Sequence, residues 1–400
     1  MTLDTPYLLA INGGSSSIKF ALYQPGATMQ PILAGEITRI GMPGTQLSFR
    51  EGKAQKQHTL KIKQDTHSSV ANFLLDWLEL KISLAHIHAV GHRVVHGMQH
   101  AYPEPVTQAL LAELHLISSY DPEHLPLEIK LIELFQHRFP QLPQFACFDT
   151  AFHHTLPRVA KILPIPRRFE ALGVQRYGFH GLSYEYLLQE LERLAGTTAA
   201  QGRLILAHLG NGASMAAIFN ARSMDTSMGF TPAGGLMMGN RTGDLDPGVV
   251  RYLLQTEKLT SSQLNHLINH ESGLLGVSET SSDMQDLLKH AATDERALEA
   301  IELFCYQSKK LIGSYAAALG GLDTLVFSGG IGENAPVIRA RICEDLAFLG
   351  IALDTEQNAA NAAVISTQSS RVEIRVIHTN EELMIARSVF HLLEHQSERA

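Results

Sequence analysis

Cysteine is scarce in this chain of 400 residues: Cys147, Cys305 and Cys343 are widely spaced and form no CxxC pair. That argues against a disulfide framework and a structural zinc site, and fits a reducing cytosol. Long apolar runs are missing as well; none reaches the roughly 18 residues that a membrane-spanning helix needs. The opening Met1-Thr-Leu-Asp-Thr-Pro has no basic stretch of the kind that begins a signal peptide, so a cytoplasmic location is expected. Basic excess is absent: 32 Lys and Arg stand against 40 Asp and Glu, a formal net charge of −8, which argues against a nucleic-acid backbone as the main partner. There is no low-complexity linker, and no GxxxxGK[ST] phosphate loop.

What is present describes a globular protein, 45% hydrophobic and 18% charged, too long for one ordinary core, so two domains are expected. Three glycine-rich turns stand out: Asn12-Gly-Gly-Ser-Ser-Ser17, His208-Leu-Gly-Asn-Gly212 and Ser328-Gly-Gly-Ile-Gly-Glu-Asn334. Each follows a short apolar run that reads as a strand, Tyr7 to Ile11, Leu204 to Ala207 and Thr324 to Phe327. Backbone amides turned toward one point around glycine suit phosphate oxygens, so the three turns point to a nucleotide held between two lobes. The first two continue into further strands, Ile18–Tyr23 and Ser214–Phe219, which hints at duplicated halves. Helical spacing is seen over 69–82, 107–118, 248–256, 261–269, 295–320 and 335–349. Strands are expected at Ala89–His96, Phe145–Asp149 and Glu373–Ile377, and a final helix runs to about His395. Most of the 20 histidines are scattered singly and read as surface or core residues.

The densest motif runs from Asp225 to Asp244, Asp-Thr-Ser-Met-Gly-Phe-Thr-Pro-Ala-Gly-Gly-Leu-Met-Met-Gly-Asn-Arg-Thr-Gly-Asp. Its five glycines rule out a regular helix, and a loop this long is uncommon unless functional. Arg241 sits inside it, either paired to Asp244 or Asp246 or aimed at an anion. With Ile11–Phe20, Gly91–Gly97, Phe148–His153, Arg176–Gly181, His208–Ser214, Gly273–Gly276, Ser328–Asn334 and Asn380–Met384, this loop resembles the acetate kinase family almost end to end. That family belongs to a larger group of two-lobed ATPases that includes sugar kinases, actin and heat-shock chaperones.

The resemblance implies an α/β protein of two similar ribonuclease H-like (actin-like ATPase) domains with a nucleotide cleft between them. One would span 1–150 with the C-terminal helix from about 384 to 400, the other 151–383. It implies reversible transfer of the ATP γ-phosphoryl group to a short carboxylate, acetate or possibly propionate, giving acyl phosphate and ADP. A carboxylic acid with a pKa of about 4 to 5 is already ionised at neutral pH, so the nucleophile needs no base, and catalysis must come from positioning and charge stabilisation. Carried over by position, Arg93 and Arg241 grip carboxylate and phosphoryl oxygens, His180 stabilises the transferring group and Asp149 is the catalytic aspartate. Asn12 and Glu381 match metal positions for Mg²⁺, with Mn²⁺ as an option. Ser15, Ser17 and Lys19 match the first phosphate loop, and His208, Leu209, Gly210, Asn211 and Gly212 the second. Asp283, Met284 and Gln285 with Gly330, Ile331, Gly332, Glu333 and Asn334 fall where the family holds ribose and adenine. Val95, Phe179 and Pro232 line the acyl pocket, and a homodimer through the second domain follows from the same likeness.

The chain departs from the family pattern at Gly13, at Gly234, at Gln285 (in place of an arginine) and most sharply at Ser119 and Tyr120, where a leucine and a histidine are usual. Those two positions belong to the acyl pocket, so a larger or more polar acid is one alternative, with His115 or His124 supplying the lost cation as another. A nucleotide-binding sensor of weak activity and a chaperone-like or filament-forming ATPase are the remaining rivals. The cluster of Arg93, Asp149, His180 and Arg241 speaks against both.

Overall fold

The computed structural model describes residues 7–14, 17–26, 29–41, 43–52, 56–64, 66–82 and 86–397. Ser15 lies outside the described residues. The chain forms two compact units, Met1–Ala151 with Asn380–Ala400, and Phe152–Thr379.

The first unit is built on eight strands: β1 (Tyr7–Gly13), β2 (Ile18–Tyr23), β3 (Pro31–Thr38), β4 (Gln46–Glu51), β5 (Lys56–Lys61), β6 (Ile87–Val94), β7 (Glu104–Pro105) and β8 (Gln144–Phe148). They lie in the order β5-β4-β3-β2-β1-β6-β8-β7. The strands β1 and β8 read as near-continuous apolar runs because both faces are covered, as expected of central strands beside parallel neighbours. At one edge β5 is mostly exposed and carries Lys56 and Lys61 at its ends, charges that discourage further strand pairing. The helix His67–Lys81 starts where Thr66 accepts the Ser69 amide, and it buries Val70, Leu74, Leu75, Trp77 and Leu78 against the sheet core. On the C-terminal side, the helix Glu381–Ser397 packs on β1 and β6. Gly91 makes that approach possible: a Cβ there would meet Ile385 Cγ2 at 2.5 Å and Val389 Cγ2 at 2.8 Å.

The second unit contains β9 (Leu204–Leu209), β10 (Ala213–Phe219), β11 (Arg222–Thr226), β12 (Thr324–Ser328) and β13 (Glu373–Val376), ordered β11-β10-β9-β12-β13. Here β9, β10 and β11 form an antiparallel meander, and β9, β12 and β13 run parallel. The middle of the first sheet, β3-β2-β1-β6-β8, has the same plan: an antiparallel meander followed by two parallel neighbours. The two sheets are thus the same unit, and the first is enlarged at both edges. The helix Glu295–Leu319, opened by Asp294 and closed by Gly320 in the left-handed region, buries Ile301, Phe304 and Ile312. Helix Gly181–Ala195 contributes Tyr184, Leu187 and Leu191 to the core around Leu204, Leu206 and Val326.

Two expected elements differ. The third glycine-rich segment is not an open turn but a helical one, Gly329–Asn334, closed by Glu333 Oε1 accepting the Gly329 amide at 2.9 Å. The long helix expected over 335–349 is Pro336–Cys343 followed by a separate 3₁₀ turn, Ala347–Leu349, because Glu344 leaves the helical path at ψ 138° and Asp345 follows at φ 62°.

Candidate active site

In an open α/β sheet, side chains for ligands gather where parallel strands end. In the first unit β1, β6 and β8 are parallel, so their C-terminal ends bring Asn12, Arg93, Val95 and Asp149 to one edge. Arg93 Nε donates to Asp149 Oδ2 at 2.9 Å and Nη2 to the same oxygen at 2.5 Å; Nη1 reaches the Gly13 carbonyl at 3.2 Å and Glu128 Oε1 at 3.4 Å. Desolvation alone would depress the guanidinium, but Asp149, Glu128 and Glu381 outweigh it and hold its pKa raised. Glu128 is itself buried, and burial pushes its carboxyl up to about 8 against the pull of Arg93 and of the Val95 amide, which donates to Oε2 at 2.8 Å.

At the same edge Asn12 Nδ2 donates to Glu381 Oε2 at 2.8 Å and to Glu382 Oε1 at 2.9 Å. Burial raises the Glu382 carboxyl, Lys19 opposes this, and the charge of Glu381 adds to the rise. Lys19 lies directly across from Asn12 in the β1–β2 register. Two carboxylates are hard donors, joined by the Asn12 amide oxygen once that amide turns its Nδ2 away from them, and the mutual repulsion of the carboxylates is what a divalent cation relieves. Among the described residues no group of three or more His, Cys, Asp or Glu forms a metal cage. Mg²⁺ needs none, since it keeps several waters and uses one or two carboxylates with substrate phosphates. The residues therefore fit Mg²⁺.

The second unit repeats the arrangement with different chemistry. His208 pairs with Ser214 across the β9–β10 hairpin, as Asn12 pairs with Lys19 across β1–β2. His180, at the start of the helix Gly181–Ala195 with φ 59°, stacks on His208 with ring centroids 4.3 Å apart. The Nδ1 atom of His180 lies 2.8 Å from Ser214 Oγ, and Nδ1 of His208 lies 2.8 Å from Ser183 Oγ. Arg241 is aimed by its own loop: Nη1 donates to the Pro232 carbonyl at 3.1 Å, and its carbonyl accepts from the Met238 amide at 3.0 Å. Asp244 accepts the Gly235 amide and Asp246 caps Gly248, at the opening of the helix Pro247–Gln255. A Cβ at Gly212 would meet His180 Nε2 at 3.4 Å and Arg241 Nη1 at 3.9 Å, so imidazole and guanidinium converge over the bare turn. Gly239 donates to the Asn211 carbonyl at 2.9 Å, which ties the Arg241 loop to the same turn.

The remaining expected residues fall into three groups. Gly330 adjoins the turn, its amide 3.6 Å from where a Gly210 Cβ would lie, while Glu333 is occupied with Ser328, Gly329, His378 and Thr379. Asn334 bonds back to the Gly330 carbonyl, and Ile331 and Gly332 lie within the same helical turn. Asp283 caps the short helix Met284–His290 by accepting the Gln285 amide; Met284 is buried and Gln285 exposed. Val95 is buried in the first unit, and Phe179 and Pro232 in the second. Ser119 and Tyr120 belong to a 3₁₀ turn, Ser118–Tyr120, with Ser119 exposed. Beside it, His124 Nδ1 lies 3.0 Å from Asp121 Oδ1, and the exposed His115 pairs with Glu133. Ser17 closes the first turn through its carbonyl, which accepts the Gly14 amide at 2.8 Å.

Glu128, Glu382, Ser183, Tyr184 and Ser214 are absent from the expected set. Glu128 could have been found: it sits among Leu125, Ile129 and Ile132 on the buried stripe of the helix Leu125–Arg138, an unusual place for a carboxylate. The others show no signal in sequence, since their roles depend on contacts to distant strands.

Two sheets of one plan, with cations and imidazoles at their strand ends, define a two-domain phosphotransferase of the actin-like ATPase fold. The crystal structure of Porphyromonas gingivalis acetate kinase matches with a TM-score of 0.86 at 36% identity, over 97% of this chain and 100% of that one. That of a propionate kinase from Francisella tularensis matches at 0.88 and 36%, over 96% and 98%. In sequence the chain is 47% identical over 396 residues to the acetate kinase of Rhodopseudomonas palustris, covering 97% of this chain and 98% of the relative. It is 43% identical over 392 residues to a propionate kinase of Salmonella typhimurium, covering 96% of each. The Acetokinase family profile matches residues 7–387. The chain belongs to the Acetokinase family: it is an ATP-dependent kinase whose phosphoryl acceptor is a short-chain carboxylate. These relatives do not favour the alternatives of altered acyl specificity or a nucleotide sensor.

Proposed function

We propose that the acid phosphorylated is acetate, with propionate as an alternative substrate, by direct in-line transfer from ATP. The observation that carries this reading is the convergence of His180 Nε2 and Arg241 Nη1 over Gly212. An anionic acceptor must approach a polyanionic donor, and a guanidinium fork beside an imidazole donor stabilises the charge spread over the moving phosphoryl oxygens. The acceptor carboxylate is already ionised, so Asp149 is not needed as a base. Its oxygen holds the Arg93 fork from one side while Glu128 approaches from another, and this directs the guanidinium toward a carboxylate. The turn around Gly210–Gly212 would receive nucleotide phosphates, with Gly330 beside it. In the second unit Phe179 and Pro232 supply apolar surface suited to a short acyl chain, and in the first unit Val95 does the same. Mg²⁺, or Mn²⁺ in its place, would be held by Glu381, Glu382 and Asn12, where it neutralises phosphate charge.

A homodimer through the second unit is supported by the exposed Val249, Tyr252 and Leu254 on the helix Pro247–Gln255. Three buried cysteines, none of them in a disulfide, support a reducing cytoplasm. The test is hydroxylamine trapping of acyl phosphate with Mg-ATP and a panel of short acids. Acetate and propionate should give the fastest turnover, and Arg241→Ala should lower it by about 10²–10³-fold. A variant within about twofold of wild type would remove Arg241 from the reaction.

A further inference from the structure

We infer that Ser214 and Ser183 are positioning residues that lock the stacked imidazoles of His180 and His208 by their Nδ1 atoms, so that both Nε2 atoms face the Gly210–Gly212 turn as paired donors to phosphate oxygens. The inference rests on the phosphoryl-transfer reading above and concerns residues that reading leaves unassigned.

Which ring nitrogen of a neutral histidine carries the proton is set by the hydrogen bond made at the other one. At His180 that bond is to Ser214 Oγ, and Ser214 Oγ in turn lies 2.5 Å from Tyr184 Oη; both Ser214 and Tyr184 are fully buried. A phenol is more acidic than a serine hydroxyl, so Tyr184 donates to Ser214 and Ser214 donates to Nδ1. The imidazole proton is left on Nε2. His208 is held in the same way: Ser183 Oγ lies 2.8 Å from its Nδ1 and 2.8 Å from Thr379 Oγ1.

The two locks cross. Ser183 lies three residues after His180 on the helix yet holds His208, and Ser214 lies opposite His208 in the β9–β10 register yet holds His180. Neither ring can turn without breaking a bond to the helix or the β9–β10 hairpin that carries the other. The outer nitrogens face neighbouring points of one turn: a Cβ at Gly212 would lie 3.4 Å from His180 Nε2, and one at Gly210 would lie 3.9 Å from His208 Nε2. The left-handed backbone of His180, φ 59°, is a further cost that the surrounding bonds maintain. An imidazole presenting a lone pair there would repel a phosphate; one presenting N–H attracts it.

The experiment compares wild type with Ser214→Ala, Ser214→Thr, Tyr184→Phe and Ser183→Ala in the acyl-phosphate assay, with ¹⁵N spectra of the histidine rings as a second readout. Ser214→Ala should lower kcat by about 10- to 100-fold, the range known for outer partners of metal-bound imidazoles, and leave KM for the acid within about twofold. Ser214→Thr, which keeps the hydroxyl, should restore most of the rate. In wild type the His180 and His208 rings should appear as the Nε2–H tautomer, and each serine variant should mix the tautomers of its own partner ring. Tyr184→Phe keeps the packing and gives the same reading if the alanine variants fail to fold. The inference is overturned if folded Ser214→Ala keeps wild-type kcat, or if the wild-type rings carry their protons on Nδ1. Absence of acyl phosphate from wild type with every acid would sink the functional reading instead, and the ring spectra would still decide the lock.

Discussion

At the scale of single residues, the chemistry depends on charges that would be unstable alone and are stable in pairs. Arg93 is tied through Nε and Nη2 to Asp149 while Nη1 spans the Gly13 carbonyl and Glu128. Lysine offers one point charge without that planar fork, so Arg93→Lys should keep the fold and lose at least about tenfold in kcat/KM for the acid. The check is steady-state kinetics beside a melting curve: unchanged kinetics would make Arg93 a structural residue only. Asp149 and Arg241 could be singled out in the sequence because a strand end or a glycine-rich loop flanks each, whereas Arg93 and His180 were singled out through the family resemblance. Glu128 was less legible, for it only becomes a partner of Arg93 once the helix Leu125–Arg138 lies against β6. The serines behind the two histidines had no local signature at all, because a buried hydroxyl looks the same in sequence whether or not an imidazole lies beyond it.

Among the elements, the hairpins β1–β2 and β9–β10 were readable from alternation and a central glycine turn, and the sheet places Asn12 and His208 at matching points of them. The helix Glu381–Ser397 shows what packing adds. Its first turn contributes Glu381 and Glu382 to Asn12, and its later turns press Ile385 and Val389 over Gly91. Gly91→Ala should therefore force the helix away from β6, with a loss of roughly 1–3 kcal/mol as in other overpacked cores. Since the helix also carries Glu381 of the proposed Mg²⁺ site, the Mg²⁺ concentration needed for half activity should rise in the same variant. Denaturant unfolding and a Mg²⁺ titration measure the two effects, and an unchanged midpoint would show that the helix has room to shift. The strands β3, β4 and β5 had little to announce them, since their burial pattern alternates weakly and their partners are supplied by the sheet. The segment 335–349 misled because its apolar spacing continues past Asp345, whose left-handed backbone is a local break that periodicity does not register.

For the molecule as a whole, buried titratable groups in both units set a pH window. Burial holds His92 and His153 down at about 4, with Gln144 and the Phe179 carbonyl as their partners. In the unfolded chain they protonate near 6.5, so the unfolded state binds protons first and stability falls as pH drops from about 6.5 toward 4. Glu128 acts in the opposite sense. With its folded pKa raised to about 8, its contribution is present below about 4.5 and is lost as pH rises toward 8. Thermal midpoints followed against pH should decline on both sides of a maximum near pH 6 to 7. Glu128→Gln should flatten the alkaline side up to pH 8, and His153→Gln the acid side. A Glu128→Gln profile parallel to wild type above pH 6.5 would show that Arg93 keeps this carboxylate ionised.

The sequence by itself determined which family this chain joins, the two-sheet α/β plan and the residues proposed to meet phosphate and carboxylate. Glycine turns after apolar strands and a glycine-rich loop around an arginine leave few other uses for those residues. Tertiary structure alone decided how each functional group is held. Whether a hydroxyl orients an imidazole, whether a carboxylate buried on a helix faces a guanidinium, and whether a helix may lie against a sheet all depend on atoms that are distant in the chain and adjacent only after folding. Hydrogen bonds and desolvation act over a few ångströms of space, and the order of residues does not record those distances.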